Sequence, residues 1–265
     1  MTTFSVQPAT AETLPDLVAL ITDREDAARR LNFMRERLAG GQLKLEWTLI
    51  LRSERGVEGH ALINAVPQIP VFPHLRADAP EEAMTALAHA ILEGAGPGQQ
   101  LLLDDNLAPL QPAPFEVAGW VLDSRHVIYE TDLRAHSYLL DSQAHSVDAD
   151  RPDIRELLKR LGQPDLELSE DWTLIALPGA DGLTSALGAV GPGGRPDIAS
   201  INLIGVLPQA SGQGLGTRLH AHLLALAAQK FAQHAGGTEA ENSAMRRIFD
   251  KHGSRLAATQ MYFVQ

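Results

Sequence analysis

The stretch 201–222 reads INLIGVLPQASGQGLGTRLHAH and predicts three consecutive pieces of structure. Its beginning, residues 201–207, is a short apolar run of the kind that forms a mostly buried strand. Pro208 ends the run, and glycines then stand at 212, 214 and 216, just before an Ala- and Leu-rich helical pattern. A strand, a glycine turn and a helix N-terminus bring bare backbone N–H groups to one point. We therefore expect an anion to bind there.

Two familiar nucleotide-binding motifs do not fit this turn. A P-loop needs Gly-Lys-Ser/Thr, which does not follow these glycines. A dinucleotide fingerprint needs a glycine where Thr217 stands and an acidic residue about 20 positions later on a second strand. A nucleotide-dependent kinase or dehydrogenase is therefore disfavoured. Taken alone, the glycines also fit a plain tight loop between a strand and a helix.

Composition limits the partners and the chemistry. The chain has 265 residues, 45% of them hydrophobic and 21% charged, which suits a packed interior and two domains of ordinary size. The net charge of −11 comes without a cluster of Lys and Arg, which disfavours a nucleic-acid partner. There is no cysteine, so disulfides, thiolate metal sites and cysteine nucleophiles are excluded. No secretion signal or membrane span is evident, and we expect a cytoplasmic protein without a membrane partner.

A hairpin pattern occurs twice in the chain. Residues 46–51 and 61–63 predict two strands around a turn at 56–59, and residues 171–175 and 186–187 predict the same around a turn at 179–182. Both copies contain Trp-Thr-Leu-Ile, and they align without a gap at a shift of 125 residues (171 − 46). A helix at 80–93 then matches one at 217–234, and 115–119 matches 249–253. We therefore predict two tandem α/β units, at 1–134 and 135–265.

The two units differ at the glycine turn. Opposite residues 211–216 the first unit has residues 76–81, Arg-Ala-Asp-Ala-Pro-Glu. This segment contains no glycine, and its carboxylates would repel an anion. The first unit is therefore predicted to be a degenerate copy.

The stretch 201–222 resembles the acyl-CoA-binding motif of the GNAT superfamily of N-acyltransferases, in which a strand ending in V-x-P leads to R/Q-x-x-G-x-G/A and a long helix. Val206, Pro208, Gly214 and Gly216 match that motif, whereas Ser211 replaces the usual Arg or Gln. The resemblance implies an α/β (α+β) fold, with a mixed, mostly antiparallel twisted sheet flanked by helices in each unit. It implies acetyl-CoA as the donor substrate. The positions implied to bind it are Ile204, Val206, Gly212, Gln213, Gly214, Leu215, Gly216, Thr217, Asn242 and Phe249.

A second segment, 239–253, resembles the N-x-x-A/M…Y-x-x-x-G segment of the same family. Asn242 takes the place of the Asn that lies beside the pantetheine arm, and it also suits a helix N-cap. Phe249 stands where the family often has a Tyr that protonates the leaving thiolate, and it has no proton to give. The resemblance therefore leaves the acid role to Ser243, Ser254, Tyr262 or water, or to a thiolate that leaves unaided.

The family resemblance implies direct transfer, with donor and amine bound together. Backbone N–H groups of residues 204–206 would stabilise the oxyanion, and a base would take a proton from the ammonium. Glu239 and Glu241 are the candidate bases, although both also fit a solvated strand end. The ten histidines show no metal-binding pattern, so no metal is expected, and His234 and His252 are expected at the surface or half-buried.

Two functions stay open at this point. One is an N-acetyltransferase that acts on a small-molecule amine or a peptide. The other is a non-catalytic acyl-CoA-binding or interaction protein of the same fold, which Ser211 and Phe249 motivate. Aminoglycosides, polyamines, amino acids, peptide N-termini and protein lysines all fit as acceptors. A monomer or a homodimer is expected, because a tandem chain can supply within itself the pairing that single-copy relatives obtain by dimerising.

Overall fold

The computed structural model describes residues 3–63, 66 and 68–265. The chain forms two compact units, one from Met1–His126 together with Ala258–Gln265 and the other from Val127–Ala257. Within the described ranges, no helix is both long and apolar enough to cross a membrane. The boundary near residue 134 stays a prediction, because the units divide within a strand that spans residues 121–132.

The first unit is built mainly by the first series of elements. These are β1 Ser5–Pro8, α1 Arg24–Ala39, β2 Thr48–Ser53, β3 Gly56–Leu62, β4 His74–Leu75, α2 Glu81–Gly94, β5 Leu101–Asp104, α3 Ala113–Val117 and β6 Val121–Asp132. Strands β1 to β4 pair antiparallel in that order. One face of the β2–β3 hairpin, with Leu49, Leu51 and Ala61, packs against α2. The opposite face, with Ile50, packs against Leu17 and the apolar side of α1.

The second unit is built mainly by the second series of elements. These are β7 His145–Ser146, α4 Pro152–Arg160, β8 Thr173–Pro178, β9 Thr184–Pro192, β10 Ile198–Val206, α5 Leu215–Ala227, β11 Gln233–Glu239, α6 Ser243–Lys251 and β12 Arg255–Val264. Strands β7 to β10 pair antiparallel, and β10 pairs parallel with β11. Helix α5 covers one face of this sheet and α4 covers the other. Mixed, mostly antiparallel sheets flanked by helices confirm the predicted fold class.

The two series follow the same order of strands and helices. Each has a hairpin, a further strand, a long helix, a strand, a short helix and a closing strand. At the short helix the residues also correspond, at a shift of 134 (249 − 115). Phe115 and Phe249 are both buried, at 0% and 2% exposure. Gly119 and Gly253 follow them with φ of 101° and 73°, a conformation that favours glycine. The chain is therefore a tandem repeat in structure as well as in sequence.

The gapless alignment of the two hairpins is wrong by one residue in the first strand and by two in the second. Leu49 faces α2, whereas Leu174, its partner at a shift of 125 (174 − 49), faces α4 on the other side of the sheet. Ile175 faces α5 instead, and it pairs with Gly188 as Leu49 pairs with Ala61. The structural shifts are therefore 126 (175 − 49) and 127 (188 − 61). A slip of one residue turns every side chain of a strand to the opposite face.

Two predicted boundaries also differ from the structure. The turn expected at 56–59 lies within β3, because β2 and β3 join through Glu54 and Arg55. The helix expected at 217–234 ends at Ala227, and His234 lies in β11. Residues 228–230, Ala-Gln-Lys, form a turn after the helix, so the apolar pattern alone overestimated its length.

Candidate functional site

A cavity of about 640 Å³ lies in the second unit. Its walls are formed by β10, the turn that follows it, the first turn of α5, the end of β11 and one face of α6. Most of the sequence-predicted binding residues line it. These are Ile204, Val206, Gly212, Gly214, Leu215, Gly216, Thr217, Asn242 and Phe249. Gln213 does not line the cavity, and its side-chain amide donates to the carbonyl of Gln209 at 3.4 Å.

The glycine turn has the conformation that its sequence requires. Gly212 and Gly214 both have φ of 78°, and Gly214 is the residue that precedes the first turn of α5. A Cβ built on either glycine would meet no atom within 4 Å, so both face open space. At Gly216 a Cβ would lie 3.2 Å from the side chain of Ile248, so a larger residue would require that side chain to shift. The helix has no acidic residue in its first turn, so its N–H groups present positive potential to the cavity.

Strand β10 presents backbone N–H groups to the same cavity. It pairs with β11 through residues 198–200, and toward their carboxyl ends both strands become walls of the cavity. The N–H of Leu207 donates to the carbonyl of Ser185, on the side of β9, at 2.9 Å. Because N–H groups alternate between the two edges of a strand, those of Val206 and Ile204 point to the opposite edge. That edge faces the cavity.

An irregularity in β10 lies beside these N–H groups. The pairing with β9 skips Asn202 between Ile201 and Leu203, which is the pattern of a β-bulge. Asn202 is exposed and lines the cavity, and its side-chain oxygen accepts a hydrogen bond from Ser200 at 2.7 Å. The sequence did not indicate the role of Asn202, because a single polar residue in an apolar run does not show that a β-bulge lies there.

Helix α6 brings two further predicted residues to the cavity. Asn242 is its N-cap and accepts a hydrogen bond from the N–H of Met245 at 3.0 Å. Phe249 is buried and stacks on Tyr129, with ring centroids 4.5 Å apart and planes 7° apart. Arg247 and Lys251, one helical turn apart, also line the cavity. Both cations were missed, although their i, i+4 spacing beside Asn242 and Phe249 was a usable signal.

The candidate acids and bases are not gathered at the cavity wall. Glu239 and Glu241 are exposed and do not belong to the residues that line it. Tyr262 lies in the first unit, where it is half-buried and its hydroxyl donates to the side chain of Gln260 at 3.3 Å. Burial, with Asp104 nearby, raises its pKa.

The alternative hydroxyl donors are also apart from the cavity lining. Ser254 is hydrogen-bonded to Thr131 at 2.8 Å, and Ser243 is exposed at the start of α6. Neither is among the residues that line the cavity. The catalytic roles proposed from sequence therefore stay predictions.

A buried cluster of histidines packs behind Phe249. The rings of His220 and His234 lie 5.2 and 6.3 Å from that phenyl ring. His220 and His252 are joined by a hydrogen bond of 2.7 Å between their Nδ1 atoms, and His234 bonds to Thr131 at 3.2 Å. His234 is fully buried, so its expected surface position is wrong. It lies on β11, under α5, because the helix ends earlier than the sequence pattern indicated.

Burial makes these histidines neutral near pH 7. It lowers the pKa of His234 to about 4. Burial, and then the neighbouring imidazoles of His234 and His252, hold the pKa of His220 well below its ordinary value. In the part of the chain that the structure describes, no group of three or more His, Asp or Glu side chains is arranged to hold a metal ion. The cluster places uncharged imidazole rings against the ring of Phe249.

Comparisons with known proteins agree with this geometry. Residues 171–253 match the model of the acetyltransferase (GNAT) family. A GCN5-related N-acetyltransferase from Sphaerobacter thermophilus is 11% identical, with 98% of this chain and 94% of that chain covered and a TM-score of 0.55. A GCN5-related N-acetyltransferase from Kribbella flavida is 13% identical, with 78% and 86% covered and a TM-score of 0.51. No curated protein matches the chain.

At these identities the solved structures show the fold alone, and they show it over nearly the whole chain. The family model covers the second hairpin and also β10, the glycine turn and all of α6, which help to build the cavity. Residues 171–253 of the second unit therefore match the acetyltransferase (GNAT) family, and the chain as a whole shares its fold with the protein from Sphaerobacter thermophilus.

Proposed function

We propose that the second unit transfers an acetyl group from acetyl-CoA to an amine, by direct transfer with both substrates bound together. The observation that carries this proposal is the glycine turn, which meets the cavity where β10 and β11 separate. N–H groups from the turn and from the first turn of α5 suit the pyrophosphate of the donor. Arg247 and Lys251 add positive charge in an otherwise acidic chain.

Other groups of the second unit suit the remaining steps of the proposed reaction. The N–H groups of Ile204 and Val206 suit the oxyanion that forms at the thioester carbon, because they face the cavity from a fixed strand. Asn242 holds the start of α6 in place and suits the pantetheine arm. Phe249 supplies an apolar wall but no proton, so a thiolate must leave unaided or take a proton from water or another hydroxyl. Glu239 or Glu241 would act on the ammonium through water, since both are exposed.

The proposal is tested by titrating acetyl-CoA in a calorimeter against the wild type and Gly214→Asp. The substitution puts a carboxylate into open space at the cavity, and we expect affinity to fall at least about tenfold through charge repulsion. Gly162→Asp is the matched control, because Gly162 has φ of 76°, also faces open space and does not line the cavity. Equal affinity in Gly214→Asp, or no binding to wild type, contradicts the proposal.

A second candidate function is a non-catalytic acyl-CoA-binding protein of the same fold. Its support is the buried, stacked Phe249 at the position where the family often carries an acid, together with the exposed Glu239 and Glu241. The two functions differ in one measurement, which is thiol release from acetyl-CoA with a broad panel of amines. Release with any amine favours the enzyme. Tight binding without release across the panel favours the second function.

A further inference from the structure

A second cavity, of about 350 Å³, lies in the first unit. The β2–β3 hairpin, α1 and the segment before β4 enclose it. Most of its wall is apolar, with Leu17, Ile21, Met34, Leu43, Leu62 and Phe72 contributing. An apolar cavity with a few converging polar groups is the usual form of a small-molecule site.

Two polar side chains from the hairpin face this cavity. Thr48 pairs with Leu62, and Ile50 pairs with His60, so Thr48 and His60 share one face as diagonal neighbours on adjacent strands. Thr48 is 5% exposed, and among the described residues its hydroxyl has no hydrogen-bond partner. Burial of a hydroxyl without a partner is unfavourable, and a ligand that supplies the missing hydrogen bond recovers that cost.

The protonation state of His60 is fixed by its surroundings. Its Nε2 lies 2.8 Å from the carbonyl oxygen of Leu17, which can only accept, so Nε2 carries the proton. Burial lowers the pKa of His60 to about 3, so the ring is neutral near pH 7 and Nδ1 is left as an acceptor. The ring of His74 packs against it edge-on at 4.6 Å, and burial lowers the pKa of His74 as well.

The second unit provides an internal control for these two positions. By the structural alignment, Thr48 and His60 correspond to Leu174 (174 − 48 = 126) and Leu187 (187 − 60 = 127). Both leucines are buried in the core beneath α4. The fold therefore does not require a hydroxyl or an imidazole at these places. In the first unit they stand in a cavity instead of a packed core.

The charges around the cavity favour a neutral ligand. Among the described residues that line it, Arg30 is the one permanent cation, and its Nε is already paired with Asp26 at 2.8 Å. The two buried polar groups are uncharged near pH 7, so they offer hydrogen bonds without balancing an ion. A carboxylate would lose its hydration there without full compensation.

We propose that this cavity binds a small, neutral, largely apolar molecule that carries a hydroxyl group. The hydroxyl donates to Nδ1 of His60 and accepts from Oγ1 of Thr48, which satisfies both. An apolar cavity of about 150 Å³ holds one benzene ring, so a cavity of about 350 Å³ suits a molecule of two fused rings. This site is separate from the proposed acetyl-CoA site and does not depend on it.

The test uses 1-naphthol as the probe, with naphthalene and 1-naphthoate as its neutral apolar and anionic analogues. Binding to the full-length protein is measured by calorimetry near pH 7. We expect 1-naphthol to bind at least about fivefold more tightly than either analogue, which is the effect of one or two net hydrogen bonds. Thr48→Val keeps the shape and removes the hydroxyl, so it should lose that preference while naphthalene binds as before. Thr48→Ser should keep the preference.

Two controls separate this site from folding and from the other cavity. Gly214→Asp should bind 1-naphthol as the wild type does, whatever its effect on acetyl-CoA. Thr48→Leu introduces the residue of the second unit, removes the hydroxyl and adds bulk beside His60, so 1-naphthol should bind no more tightly than naphthalene. The proposal is overturned if none of the probes binds, if naphthalene binds as tightly as 1-naphthol, or if Thr48→Leu binds like the wild type. Thermal unfolding of each variant establishes that it is folded.

Discussion

A buried neutral histidine makes the second unit sensitive to acid. The pKa of His234 is about 4 in the folded chain, against an ordinary value of 6.5 when unfolded. Between these values the unfolded chain binds a proton that the folded chain does not. Stability from this group is therefore complete above about pH 6.5 and is lost as the pH falls toward about 4, on the order of 1 kcal/mol per pH unit.

His234→Leu should lower the slope of the unfolding free energy with pH by the amount that corresponds to about one bound proton. Leucine fills a similar space and does not titrate. The measurement is the free energy of unfolding in urea at several pH values between 4.5 and 6.5. The variant also loses the bond to Thr131, so the comparison rests on the slope with pH and not on absolute stability. Ile175→Val perturbs the same sheet without removing a titratable group, so it is the control and should leave the slope unchanged. An identical slope in His234→Leu would rule out this origin of the acid sensitivity.

Single residues of the site differ in how far sequence could predict them. The roles of Gly212 and Gly214 were predictable from sequence, because both have φ of 78°, a conformation that few residues other than glycine adopt. Asn242 was predictable as a cap, since it precedes a short amphipathic helix. The environment of His234 was not, because it depends on Thr131 of β6, which is distant in sequence. Long-range packing of this kind leaves no local pattern.

At the scale of elements, the hairpins show why a true repeat can be aligned wrongly. Both carry Trp-Thr-Leu-Ile, and both sheets are covered by helices on the two faces. A strand covered on both sides is apolar at consecutive positions and lacks the alternation that would reveal its faces. Residue identity then favours a shift of 125 residues between the hairpins. Strand pairing and burial instead give a shift of 126 for the first strand and 127 for the second. The order of elements was predictable, and their register was not.

Helix α6 allows the capping and binding roles of Asn242 to be separated. Asn242→Ala should lower the free energy of unfolding by about 1 kcal/mol, because it removes the hydrogen bond to the N–H of Met245. Asn242→Asp should retain that stability, since aspartate caps equally well. It should nevertheless weaken acetyl-CoA binding, because it adds a negative charge at the cavity. Urea unfolding and calorimetry measure the two effects.

The matched control is the cap of α1 in the first unit. Asp23 accepts from the N–H groups of Glu25 and Asp26, so Asp23→Ala should cost a similar free energy of unfolding. It should leave acetyl-CoA affinity unchanged, because Asp23 does not line the cavity. If Asn242→Asp binds acetyl-CoA as tightly as the wild type, Asn242 is a cap and no more.

At the scale of the whole molecule, the compact units do not follow the order of the chain. Strand β6 runs from the first unit into the second, and β12 runs from the second into the first. Residues 260–263 of β12 pair antiparallel with β5. Phe263 is fully buried in the core of the first unit and lies 5.6 Å from the ring of Phe115. A division of the sequence at residue 134 would instead place Phe263 in the second unit.

Phe263→Ala distinguishes the two assignments. Removing a fully buried phenyl group should lower the free energy of unfolding by about 3–5 kcal/mol. Because Phe263 packs in the first unit, amide hydrogen exchange should accelerate most in β5 and α2, although the substitution lies near the end of the chain. Leu219→Ala is the counterpart control, since Leu219 is fully buried under the second sheet and should loosen α5 and β9 instead. If Phe263→Ala loosens β8 to β10 and leaves β5 and α2 protected, β12 belongs with the second unit, as the simple tandem reading of the sequence predicts.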